Sequence, residues 1–163
     1  MYILIYLFFA ILLAYLITKF VIQRIKVDGS SMEPNIKHKS HLLINKLSYR
    51  LKSPKRFDIV VFPANNTKPE YYIKRIIALP KETVQIKNEA IYIDDKKLNE
   101  DYGLEPIKLA GIATKKIKIP NHHYFVLGDN RNDSLDSRHE DVGLLHRNKI
   151  IGKAWIKIWA FRK

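Results

Sequence analysis

Hydrophobic positions along this chain follow two regimes. From Met1 to Thr18 no residue is charged, Gly or Pro, and Phe20, Val21 and Ile22 extend the run past Lys19. A bilayer core takes roughly 20 helical residues, so the pattern predicts a spanning helix with tyrosines near its edges and Lys19 snorkelling outward. A buried core helix would show a polar face. A cleavable leader would show a basic start and a small-x-small site, where Thr18-Lys19-Phe20 stands instead. The expectation is an uncleaved anchor over residues 1–23 and one domain over 24–163.

After the anchor the period shortens to two. His41–Asn45, Phe57–Phe62, Tyr71–Leu79, Thr83–Lys87, Ala90–Ile93, Tyr124–Leu127 and Ile150–Trp159 are short and rich in Val, Ile, Phe, Tyr and Trp. Residues 153–159 alternate most clearly. Turns separate the runs at Pro54-Lys55-Arg56, Pro63-Ala64-Asn65-Asn66, Leu79-Pro80-Lys81 and Gly128-Asp129-Asn130, and a hairpin turns at Asp94-Asp95. No repeat or heptad appears. The pattern predicts a mainly β domain on one helical anchor.

Composition narrows the chemistry. The 163 residues suffice for one domain and an appendage. Cysteine is absent, which excludes disulfides, zinc-thiolate and iron–sulfur sites and a thiol nucleophile. None of the six histidines forms an i, i+4 pair around a carboxylate, so no metal or other cofactor is expected. The net charge is +13, but the basic residues are scattered and match no nucleic-acid module. No phosphate-cradling Gly-rich loop is present. Nucleic acid is therefore not an expected partner; anionic lipid and wall polymer are.

Three polar blocks interrupt the pattern. Ser30-Ser31-Met32-Glu33-Pro34 follows the anchor and, taken alone, reads first as an ordinary Ser-rich turn. Lys74 and Arg75 sit in the middle of the apolar run Tyr71–Leu79, and alternation turns one of them toward the buried side. A buried lysine tends to lose its proton and becomes a candidate base, while an edge strand guarded by an inward charge fits as well. Gly128 to Arg138 packs two Ser, three Asp and two Arg with Leu135 as its one apolar side chain, which suits a hydrogen-bonded network more than a solvated loop.

Taken together, the blocks resemble the type I signal peptidases, membrane-anchored serine proteases with a Ser–Lys dyad. The resemblance runs from about Val27 to the end, in family order: Ser-Met-x-Pro, Arg-Phe-Asp-Ile-Val-Val-Phe, Tyr-Ile-Lys-Arg-Ile-Ile-x-Leu-Pro, and Gly-Asp-Asn-Arg-x-x-Ser-x-Asp-Ser-Arg. It implies coiled antiparallel sheets on one transmembrane helix, in the compact Gram-positive-like form, since 95–121 leaves no room for a large second domain. It implies Ser31 as nucleophile, Lys74 as base and Ser134 as hydrogen-bond partner of the lysine amine. Asp136 and Arg138 match a supporting ion pair, with Asp129 and Arg131 in the same loop. Val27, Tyr72 and Ile73 match the walls of shallow pockets for small substrate residues at −1 and −3.

The implied activity is removal of signal peptides from exported precursors after Ala-x-Ala, on the extracytoplasmic side of the membrane. The flank Lys19, Arg24 and Lys26 points the other way by the positive-inside tendency, but long domains translocate largely regardless of flanking charge. A silent relative that assembles surface proteins is the alternative, and such a relative would lack the Ser or the Lys. A tethered polyanion-binding module leaves the dyad pattern unexplained, and a Ser–His–Asp triad through His139 is outranked by it. The chain also departs from the pattern. Gly29 stands where many members carry a second oxyanion serine, Ala78 and Lys81 stand where glycines are usual, and Asn35 replaces a Thr.

Overall fold

A computed structural model of the chain describes residues 2–64, 70–103 and 105–158. The apolar run forms helix α1 (Tyr2–Phe20), none of whose residues is buried. The helix ends at Phe20, short of the expected boundary at 23. Ile22 lies outside the helix and opens strand β1 (Ile22–Lys26), paired antiparallel with β2 (His41–Asn45).

The domain is mainly β, as expected. After β2 come a single helical turn α2 (Ser48–Leu51), β3 (Ile59–Pro63), β4 (Tyr71–Ala78), β5 (Thr83–Lys87), β6 (Ala90–Ile93), β7 (Lys96–Lys97), β8 (Ile117–Lys118), β9 (His123–Leu127), β10 (Leu145–His146) and β11 (Gly152–Ile158). One antiparallel sheet runs β1-β2-β11-β3-β4-β9-β10, and a second runs β7-β6-β5-β8. The β6–β7 hairpin turns at Asp94-Asp95, where both residues take positive φ (47° and 64°), as a tight primed turn requires. Asn65, Asn66 and Trp159, which the strand and turn reading includes, lie outside the described residues.

Three apolar clusters hold these layers together. Ile77, Val84, Ile91, Ile119, Phe125 and Leu127 join the two sheets. Ile25, Val27, Met32, Leu42, Ile44 and Ile73 pack beneath β1 and β2. Val60, Phe62, Ile76, Tyr124 and Val126 fill a third cluster. Strand β4 touches all three, and from Ile73 to Ala78 every residue is buried. Both faces of β4 are thus covered, so Lys74 and Arg75 are both buried, at 3% and 6% exposure, and not one in and one out. An edge-strand guard is ruled out for the same reason: β4 is central, between β3 and β9.

Candidate active site

The loop after β1 brings Ser31 to β4. Gly29 adopts φ +111°, a region open to glycine, and its N–H donates to His38 Nδ1 at 3.0 Å. Asn130 N–H donates to Ser31 O at 3.0 Å, tying the loop to the turn after β9. Ser30 points away, donating to Asp133 Oδ2 at 2.6 Å. Ser31 Oγ and Lys74 Nζ lie 2.7 Å apart. The ammonium donates in this contact while charged, and the hydroxyl donates once the amine is neutral.

Burial lowers the Lys74 pKa from 10.5 to about 8. Desolvation is the largest cause; Asp136 and Asp129 pull the other way, and Arg138 adds a smaller push downward. Desolvation wins because both carboxylates are already committed to guanidinium groups. Arg75 Nε and Nη2 each donate to Asp129 at 2.7 Å, and Arg138 Nε and Nη2 each donate to Asp136 at 2.8 Å. An amine with this pKa carries a useful neutral fraction near neutrality and can take a proton from a hydroxyl in contact with it.

The polar block after β9 is a wrapped network. Gly128 N–H donates to Asp136 Oδ2 at 3.0 Å, Arg131 Nε donates to Gly128 O at 3.1 Å, and Val126 N–H donates to Ser137 Oγ at 3.0 Å. Asp129 and Asp136 are fully buried, and Arg131 reaches Glu100 through two bonds of 2.6 and 2.8 Å. Ser134 Oγ is buried too, but it donates to and accepts from no group, so its expected bond to the Lys74 amine is not made here. Gly128 is where it and Ser31 come close: a Cβ there would clash with both Ser134 Oγ and Ser31 O.

Of the expected pocket residues, Val27 and Ile73 lie together in the cluster beneath β1 and β2, exposed by only 4% and 7%. Tyr72 packs in the third cluster, its ring edge-on to Phe62, with Lys74 Nζ 5.4 Å from its centroid. Strand alternation separates Tyr72 from Ile73. Among the described residues no group of three His, Asp or Glu side chains could hold a metal ion.

Several contributors escape a reading of sequence. Arg75 braces Asp129 while its guanidinium lies 3.7 Å from the centroid of Tyr102. Gly128 provides close approach, Asn130 holds Ser31, and His38 holds Gly29. Gly128 and Asn130 stand inside the quoted motif, and that was the available signal. His38 and Tyr102 lie in stretches with no motif at all.

Known proteins with similar sequences agree on one family. A family model described as signal peptidase, peptidase S26, matches residues 1–159. Signal peptidase I of Bacillus caldolyticus is 40% identical over 156 residues, covering 88% of this chain and 83% of that protein. Signal peptidase I T of Bacillus subtilis is 37% identical over 161 residues, covering 94% and 82%. A crystal structure of a signal peptidase I from Enterococcus faecalis superposes with a TM-score of 0.51 at 31% identity, covering 64% of this chain and 98% of that one.

Proposed function

Because this chain belongs to the signal peptidase family, peptidase S26, we propose that Ser31 is the nucleophile and Lys74 the general base with which it removes signal peptides from exported precursors. The observation that carries the assignment is the 2.7 Å contact between Ser31 Oγ and a buried lysine of lowered pKa. Neutral Lys74 takes the hydroxyl proton as Oγ attacks the scissile carbonyl carbon. The resulting ammonium gives that proton to the departing amine of the mature protein, leaving an ester on Ser31. Water then attacks the ester, Lys74 takes its proton, and Ser31 recovers its own as the signal peptide leaves with a free carboxylate.

Charge develops on the former carbonyl oxygen. No described group accepts the Ser31 N–H, which leaves it available as the oxyanion donor. Asp129, Asp136 and Arg138 hold the loop that carries Ser134 and the partners of Ser31, and they act through position. Val27, Tyr72 and Ile73 wall the shallow pockets, so small residues at −1 and −3 are preferred, as in Ala-x-Ala.

Helix α1 anchors the chain in a lipid bilayer, and residues 24–163 act on the extracytoplasmic side, where precursors emerge. Its 19 residues rise about 28 Å, close to the hydrocarbon thickness. Anionic lipid, and not nucleic acid, is the counterpart of the +13 charge.

The test uses the detergent-solubilised full chain and a precursor bearing Ala-x-Ala. The parent cuts after the second alanine. Ser31→Ala folds but does not cut, and Ser30→Ala cuts at a reduced rate. A dead Ser30→Ala beside an active Ser31→Ala would move the nucleophile by one position. A folded parent that cuts nothing would favour the silent assembly relative.

A further inference from the structure

At the C-terminal end of α1 the surface opens into a cavity of about 650 Å³. Its wall carries Lys19, Lys46, Arg50, Arg147, His122 and His146, and no carboxylate lines it. Four cations thus face one space, with none of them ion-paired among the described residues. Their hydrogen bonds go to neutral groups. Arg147 Nη2 donates to Tyr49 O at 3.1 Å and Lys52 O at 3.3 Å, and Lys46 Nζ donates to Lys19 O at 3.1 Å. These bonds orient the cationic heads without cancelling their charge. The two imidazoles, with centroids 6.4 Å apart, add ring N–H donors.

Like charges lining one cavity repel, so the arrangement carries a cost that an anion would lower. The rest of the wall indicates what kind of anion. Phe20, Ile150 and Ile151 make part of it apolar, so the cavity suits an amphiphile better than an isolated ion. Its location says the same: Lys19 and Phe20 are the last residues of the apolar helix and sit where hydrocarbon gives way to headgroups. The adjoining concavity carries Leu51 and Trp155, exposed by 82% and 60%, of the kind that enters the interface beside a charged headgroup.

We propose that this cavity binds the phosphodiester headgroup of one anionic phospholipid, seating the domain on the membrane at the foot of α1. The inference rests on the membrane placement of α1 and is independent of the Ser–Lys chemistry. Lys46 and Arg50 close on the phosphate from β2–α2, Arg147 from the turn after β10, and Lys19 from the helix. The bound headgroup thereby adds to the backbone tie between Lys46 N–H and Val21 O, 2.9 Å, that already joins the domain to the foot of α1.

The experiment follows lipid retained by the detergent-solubilised full chain, weighed intact by native mass spectrometry. Phosphatidylglycerol, phosphatidylcholine and inorganic phosphate are titrated separately. One phosphatidylglycerol per chain is expected, with little phosphatidylcholine. Lys46→Gln with Arg50→Gln should weaken retention about 25-fold, at about fivefold for each basic residue. The charge-preserving pair Lys46→Arg and Arg50→Lys should retain it. Lys96→Gln with Lys97→Gln, on the distant β6–β7 hairpin, should leave it unchanged, and cleavage of a soluble peptide should be the same in all of them. Equal retention of phosphatidylcholine, or equal weakening by the hairpin pair, would overturn the proposal. Displacement of the lipid by submillimolar phosphate would reassign the cavity to a free anion. Retention by a parent chain that cuts nothing would leave this inference standing while the assignment of Ser31 and Lys74 fell.

Discussion

Arg75 and Asp129 form a bidentate bridge at 2.7 Å, one residue along β4 from the lysine that touches Ser31. Neighbouring positions of a single strand therefore hold the Ser31 hydroxyl and the loop beneath it. The geometry of the site is fixed by a central strand whose residues from Ile73 to Ala78 are all buried.

That bridge predicts a specific pattern of stability. Arg75→Met leaves Asp129 buried without its cation and should cost about 3–5 kcal/mol. Replacing Asp129 by Leu as well should recover much of the loss, because no unpaired charge then remains. Denaturant unfolding of the detergent-solubilised chain measures both.

Ser134 separates packing from positioning. Its hydroxyl is buried without a partner, so Ser134→Ala should leave stability unchanged or raise it by up to about 1 kcal/mol. If the hydroxyl guides the lysine once the amine is neutral, the same change should lower kcat more than tenfold with KM nearly constant. An unaltered kcat would remove Ser134 from the site.

Lys81 occupies φ +73°, exposed, with its N–H donating to Ile119 O at 2.8 Å. A side chain there costs about 1–2 kcal/mol, of which glycine would return part after its larger unfolded entropy. Lys81→Gly should raise stability by about 0.5–1 kcal/mol and the melting temperature by a few degrees, read by thermal unfolding. The sequence resemblance marks this position as one where glycine is usual, and the backbone gives the reason.

Strands β2, β5 and β6 were legible to the residue because each is a short run rich in Leu, Val, Ile or Tyr bounded by polar residues. Strand β1 was not: Ile22 continues an apolar run, and nothing local separates a residue of the apolar helix from a strand residue. Lys74 and Arg75 show a second limit. Alternation assigns faces but cannot say that both faces are covered, and that depends on the second sheet and on β1 with the loop after it arriving from elsewhere in the chain. Ser134 shows a third. Its motif fixes its place in the loop, while the hydrogen bond depends on rotamer and protonation state, which no spacing encodes.

The most direct test is the pH dependence of kcat/KM for a neutral peptide substrate, with stability followed in parallel. Burial places the folded pKa of Lys74 at about 8, below its ordinary 10.5, so the folded chain holds fewer protons between those values than the unfolded one. Stability should therefore rise with pH across that window, and Lys74→Met, which has no amine to desolvate, should lose the rise. The rate should climb about tenfold per pH unit below about pH 8 and level off above it, and Lys74→Arg, which cannot deprotonate, should be as inactive as Lys74→Ala. A rate independent of pH across that range, or substantial activity in Lys74→Arg, would contradict the Ser31–Lys74 mechanism.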